Sequence, residues 1–258
     1  MKISHESPKQ LLEASRTYND YDYALVHMFE QDLDYFNFFK ASVEQGREVI
    51  LDNSIFELGE AFDMYAFAKW IQALKPTYYI IPDVLDDAAG TISNLHTWFD
   101  KHYAVTDICK SIGVVQGSNY DEMAACYQEL DKFVDKIAIS FNSNWFKRSD
   151  MDDEHAWMQG RRNLLERLDR EGVINKYKPH HLLGVALPQE VSFYRSMSWI
   201  ESVDTSNPVV HGIRRIRYAD DGLQHKESVK LVDLYNANLD EDQLQDIYFN
   251  IKKFREFI

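Results

Sequence analysis

Five short apolar segments each run directly into polar residues. They are Val49-Ile50-Leu51 before Asp52-Asn53, Tyr79-Ile80-Ile81-Pro82 before Asp83, Ile112-Gly113-Val114-Val115 before Gln116-Gly117, Ile137-Ala138-Ile139 before Ser140, and the run ending at Val203 before Asp204. Apolar runs this short, with little polar alternation, are the pattern of strands buried on both faces in a parallel sheet. Parallel α/β folds carry their chemistry at the C-terminal ends of the strands. A chain that delivers five polar groups there is built around a site at that end.

The length of 258 residues suits one large domain with a full core. An aromatic content of 14% excludes a disordered chain. No apolar run approaches membrane-spanning length, and the opening Met1-Lys2-Ile3-Ser4-His5-Glu6 lacks an apolar signal region, so the expected location is the cytoplasm and no membrane partner is expected. Cys109 and Cys126 form no CxxC pair, which leaves no basis for a zinc ribbon or a disulfide framework. The net charge of -14 repels nucleic acid at long range, so binding one needs a local basic patch. Two segments offer such a patch: Arg214, Arg215, Arg217 and Lys226, and Lys147-Arg148 with Arg161-Arg162. The alternative for each is a solvated charged face.

Strands and helices alternate along the chain. The expected strands are Tyr23–Met28, Glu48–Leu51, Tyr78–Ile81, Ile112–Val115, Lys136–Ile139, His181–Ala186 and Ile200–Val203, with an eighth near Gly212–Tyr218. Helices are expected at Leu33–Gln45, ended by Gly46, at Met64–Leu74, stopped before Pro76, at Ala88–Lys101, and from Asn119 as N-cap to Phe133. Further helices follow at Glu154–Glu171, from Pro188, and at Asp240–Phe254, where Leu244, Ile247, Ile251 and Phe254 share one face. This order describes a single-domain (β/α)8 TIM barrel over residues 1–258. A doubly wound open sheet is the rival, disfavoured because neither GxGxxG nor GxxxxGK[ST] follows any strand.

Brought together at a barrel mouth, Asp52, Asp83 and Asp204 can divide labour. One carboxylate attacks a sugar carbon and another moves the proton at the leaving group. For any single strand-end aspartate the alternative is helix capping or loop bonding, and Asp86 and Asp87 read as caps of the helix at Ala88. The Gln116 amide offers a donor and an acceptor to a nucleobase edge, Gly117 beside it permits close approach, and Asp83 can accept two N–H groups from a guanine-like edge. His180 and His181 are adjacent on a strand and point to opposite faces, so they do not share a metal. His27 reads as a rim histidine held by a structural bond. Phe56, Trp145 and Phe146 are candidates for base stacking or for ordinary packing.

At these residues the chain resembles the tRNA-guanine transglycosylase superfamily, and within it the shorter phage and bacterial relatives that insert 7-deazaguanines into DNA. The matching segments are Leu51 to Glu57, Ile81 to Asp87, Gly113 to Gly117, Leu182 to Val185 and Val203 to Ser206, in the family's order, within roughly residues 48 to 217. The resemblance implies a (β/α)8 barrel and a base-exchange pentosyltransferase, replacing a guanine-type base in nucleic acid by a 7-deazaguanine through a covalent aspartyl–sugar intermediate. It implies Asp204 as nucleophile and Asp52 as the acid for proton transfer or orientation. Asp83 and Gln116 match the base-reading pair, Asn53, Gly117 and Ser140 fall in the adjoining substrate contacts, and Arg214, Arg215 and Arg217 occupy the place of the basic nucleic-acid loop. The implied partners are DNA or tRNA and a free deazapurine base, with no cofactor; a homodimer is left open. The chain departs from the family in two places. It has no C-terminal Cys/His zinc cluster, and the usual Asp-Ser-Gly-Gly-Phe run is Asp52-Asn53-Ser54-Ile55-Phe56. Two other functions compete: an N-glycosidase or ribosyltransferase acting on free nucleosides or nucleotides, and a non-catalytic barrel that binds a modified base or a protein partner.

Overall fold

The computed structural model describes residues Met1–Ile258 as a (β/α)8 barrel. Its strands are β1 (Lys2–His5), β2 (Asp22–Leu25), β3 (Val49–Asp52), β4 (Tyr78–Ile80), β5 (Lys110–Val115), β6 (Lys136–Ser140), β7 (His180–Leu183) and β8 (Ile200–Thr205). All neighbours pair in parallel, in the order β1-β8-β7-β6-β5-β4-β3-β2. The apolar stretches are buried as expected: Val49, Ile50, Leu51, Ile112, Ile137, Ala138 and Ile139 expose no surface.

The two ends of the sheet meet without a ladder. Asn19 and Asp20, just before β2, close the seam instead. His5 N–H donates to Asn19 Oδ1 at 2.7 Å and Asn19 Nδ2 returns a bond to the His5 carbonyl at 3.0 Å. One residue on, Asp20 N–H donates to the Ile3 carbonyl at 2.9 Å, and Ile3 N–H donates to Asp20 Oδ2 at 2.8 Å. The edge of β1 is thereby satisfied rather than left open to another chain.

Strand placement differs from expectation at both ends of the chain. The expected strand at Gly212–Tyr218 does not exist; Gly212 lies in the helix Asn207–Ile213 and the residues after it form a loop. The strand beside β8 is the N-terminal Lys2–His5, in register Ser4 opposite Asp204. Near Tyr23 the strand stops at Leu25 and the chain turns helical over Val26–Gln31. In place of a strand to Ala186, β7 ends at Leu183, because Gly184 adopts φ +61, the left-handed region glycine enters without penalty.

The helices mostly follow the sequence. Met64–Leu74 and Ala88–Lys101 have the expected limits. Asn119 caps the helix Tyr120–Leu130 by accepting the Glu122 N–H. Asp87 caps the helix at Ala88 through the Gly90 N–H, whereas Asp86 reaches across to Ser143 and Asn144. The segment opening at Pro188 is a 3₁₀ turn, Pro188–Tyr194. The last helix, Glu241–Glu256, begins with a capping box at Asp240 and Gln243. It lies so close to the helix Asn207–Ile213 that a Cβ on Gly212 would sit 2.5 Å from the Ile247 backbone nitrogen. No helix is long and apolar enough to cross a membrane.

Candidate active site

A cavity of about 500 Å³ opens at the C-terminal mouth of the barrel. Asp52, Asn53, Asp83, Gln116, Ser140 and Asp204 all line it, each carried by a strand end or the turn after it. Gly117 does not; it packs behind Gln116, where a Cβ would lie 2.8 Å from Met123 N. A second, much smaller cavity of about 30 Å³ lies between β1, β2 and the helix Leu33–Glu44, with room for about one water.

Asp204 is held on one side only. Its Oδ1 accepts from His181 Nε2 at 3.0 Å and from Gly184 N–H at 3.2 Å. Its Oδ2 bonds to no protein group. Burial lowers the pKa of His181, so the ring is neutral and one nitrogen donates. The carboxylate fixes which: Nε2 carries the hydrogen, and Nδ1 accepts from the Ser202 hydroxyl at 2.9 Å. Tyr23 stacks on the imidazole at 6.0 Å between centroids. The result is an oriented carboxylate with one free oxygen.

Asp52 lies in the same cavity. Tyr23 Oη donates to its Oδ2 at 2.6 Å, and Ser54 N–H donates to its Oδ1 at 2.5 Å. Burial nevertheless pushes its pKa up to about 7, with the charges of Asp204 and Asp83 adding to the rise. A carboxyl that titrates near neutrality can give and take protons there. Ser54 adopts φ 61, a left-handed backbone at a non-glycine residue immediately after Asp52-Asn53.

Asp83 is clamped between two amides. Asn53 Nδ2 donates to Oδ1 at 2.8 Å and Gln116 Nε2 donates to Oδ2 at 2.7 Å. Gln116 Oε1 is itself held by the Asp86 N–H at 3.0 Å, which fixes the orientation of the amide. The Ser140 hydroxyl donates to Asn142 Oδ1 at 2.6 Å.

Groups in or beside the cavity that carried no expectation as site residues include His181, Glu6 and Glu57. His181 bonds Asp204 without itself lining the cavity; the strand alternation that separates it from His180 also turns one of the pair inward. Glu6 follows β1, and burial together with Asp204, Glu57 and Asp52 raises its pKa well above the ordinary range. Glu57 rises to about 8, chiefly through burial.

Of the two expected basic patches, only Lys226 lines the cavity. None of Arg214, Arg215 and Arg217 lines the cavity. Arg215 pairs with Asp240 at 2.6 Å and Asp242 at 3.1 Å, Arg217 with Asp246 at 2.6 Å, and Arg214 approaches Glu227 at 4.0 Å. The second patch is dispersed: Arg161 is fully buried against Glu190, so it belongs to neither a solvated face nor a basic one. Lys147, Arg148 and Arg162 each pair with a nearby acid. Phe56 reaches the cavity and is exposed, whereas Phe146 is in the core. His27 does not reach it; its backbone N–H donates to Ser54 Oγ at 3.3 Å. No three His, Cys, Asp or Glu side chains are grouped as a metal site would require, and both cysteines are buried and free.

The raised pKa of Asp52 has a consequence for stability. The group is about 7 folded against 3.8 as an ordinary aspartate. Its contribution is therefore fully present below about pH 4 and is lost as pH rises through about 7. Asp52→Asn is expected to raise the unfolding free energy at pH 9 by about 1–3 kcal/mol and to change it little at pH 4. Urea unfolding at the two pH values checks this; an equal effect at both contradicts it.

Fold and site together define a (β/α)8 barrel with a deep carboxylate-lined pocket at its C-terminal mouth. No protein-family model matches the chain, and no curated protein matches it.

Proposed function

We propose that the protein is a pentosyltransferase of the base-exchange type, related to the tRNA-guanine transglycosylases, that replaces a guanine-type base in nucleic acid by a 7-deazaguanine. The observation that carries this reading is Asp204: one oxygen is fixed by His181 and Gly184, the other is free, and the cavity also holds Asp52 and the Asp83–Gln116 pair.

The free oxygen attacks C1′ of the target nucleotide. The C1′–N bond breaks, its electron pair leaves with the base, and Asp52 supplies the proton that neutralises it. A second base then attacks C1′, the ester to Asp204 breaks, and the proton shed by the incoming base returns to Asp52. Asp83 reads the base. Each of its oxygens has two lone pairs and spends one on a protein amide, which leaves two acceptors for adjacent N–H groups of a guanine-like edge. The target nucleotide leaves the helix stack to enter the barrel, at a cost of about a few kcal/mol in a duplex and less in a single strand.

A second reading has one observation in its favour. The acids already paired with Arg215 and Arg217 compete with phosphates, which suits a transferase acting on free nucleosides or nucleotides. Salt dependence separates the two. If the three arginines hold the chain, changing Arg214, Arg215 and Arg217 together to alanine reduces the slope of log K against log salt by about 2–3. An unchanged slope favours the small substrate. Mass spectrometry of nucleosides from the DNA and RNA of cells with and without the protein tests the main reading. A new deazaguanine nucleoside is expected, and its absence from both nucleic acids counts against base exchange.

A further inference from the structure

The cavity contains two lysines, and they are used differently. Lys230 spends its ammonium on the chain, donating to the Phe56 carbonyl at 2.8 Å and the Glu57 carbonyl at 3.2 Å. The ammonium of Lys226 makes one long bond, 3.4 Å to the Val185 carbonyl, and lies 4.0 Å from the centre of the Phe141 ring. It joins no ion pair, although Glu6 and Asp204 act on it through space. Burial lowers its pKa to about 8.

The backbone around Lys226 is tied to its neighbours: its N–H donates to Glu154 Oε1 at 3.4 Å, and the Glu227 N–H donates to His211 Nε2 at 3.3 Å. Three residues before Lys226, Leu223 is gripped by the Gln189 amide, which donates to the Leu223 carbonyl at 2.6 Å and accepts its N–H at 3.1 Å. A Lys ammonium has three donors, and a half-buried charge without a counter-ion is costly. A cation held at a pocket wall with its donors unspent is half of an anion site. The neighbouring acid Glu6 retains its proton more readily than usual, which lessens its competition for that cation.

We propose that Lys226 receives a phosphate group of the substrate, beside the sugar that Asp204 attacks, and so selects nucleotides over bare nucleosides. This rests on the pentosyl-transfer reading for what lies in the pocket, and its test is separable from that reading. Isothermal titration calorimetry compares guanosine with guanosine 5′-monophosphate, and ribose with ribose 5-phosphate, on the wild-type protein and on Lys226→Met and Lys226→Arg. The phosphate is expected to tighten binding at least about tenfold in each pair. The gain disappears in Lys226→Met and largely survives in Lys226→Arg. A wild-type protein that prefers neither the phosphorylated partner of either pair nor a phosphate-bearing trinucleotide over guanosine overturns the proposal. So does a preference that persists in Lys226→Met, or a loss that falls equally on guanosine and its monophosphate.

A trinucleotide with a central guanine carries only diester phosphates and separates the two sources of this chemistry. A Lys226-dependent gain for the trinucleotide alone assigns a phosphate of a nucleic-acid chain; a gain for the monophosphate alone assigns a free nucleotide. The ribose pair contains no base. A Lys226-dependent preference there, in a protein that exchanges no base, supports the phosphate site while refuting base exchange. Base exchange with no such preference in any pair does the reverse.

Discussion

Asp204→Asn is expected to lower kcat/KM for base exchange by about 10⁴-fold or more while leaving the fold intact. The amide cannot form the ester to C1′, so the loss is chemical. Its carbonyl oxygen can still accept from His181 Nε2 and Gly184 N–H, the two bonds that orient the native carboxylate. The new Nδ2 takes the place of the oxygen that bonds to no protein group, so no buried partner is orphaned. Thermal unfolding should therefore shift little while turnover collapses. Exchange of labelled base, read beside the melting temperature, checks the pair of outcomes. Substantial turnover by the variant removes Asp204 from the nucleophile's role.

The largest expected loss of stability is at Arg161. Its guanidinium is fully buried with Glu190, bonding to Glu190 Oε1 at 2.7 Å. It also donates to the carbonyls of Ile139 and Leu183 at 3.2 Å and of Gly184 at 3.0 Å, tying the ends of β6 and β7 together. Glu190 is bound in turn by Tyr194 Oη and the Ala186 N–H. Arg161→Met strands a buried carboxylate and three carbonyls, and is expected to cost about 3–5 kcal/mol. That is a large share of the roughly 5–15 kcal/mol typical of a whole domain. The pair is also dear to desolvate, so Arg161→Met with Glu190→Leu should recover much of the loss. Urea unfolding measures both, and a single-variant cost below about 1 kcal/mol contradicts this account of the pair. Because Gly184 N–H bonds Asp204, the single variant should also impair turnover under conditions where it stays folded.

The strands that form the site were legible because each is an apolar run with a polar end. Residues 49–53 and 112–116 need only that pattern to be placed, and their polar ends line one cavity. The strand Lys2–His5 carries no such signal. It has four residues, one of them aliphatic, and it is a strand because β8 lies beside it from the far end of the chain. That pairing is also why Gly212–Tyr218 is not needed as a strand. His181 was half legible, since alternation turns one of two adjacent histidines inward but does not say which. Arg161 could not be found at all: an arginine on a helix reads as surface until the strand ends it bridges and the acid it meets are known.

Trapping a covalent bond to Asp204 is the most direct test of the proposed chemistry. Single-turnover mixtures with a guanine-containing oligonucleotide, quenched by denaturation and digested with protease, are read by peptide mass spectrometry. Base exchange through an aspartyl–sugar intermediate predicts a peptide carrying Asp204 with the added mass of the sugar-linked fragment, absent from Asp204→Asn. Exchange that proceeds with no adduct, or with the adduct on Asp52, contradicts it.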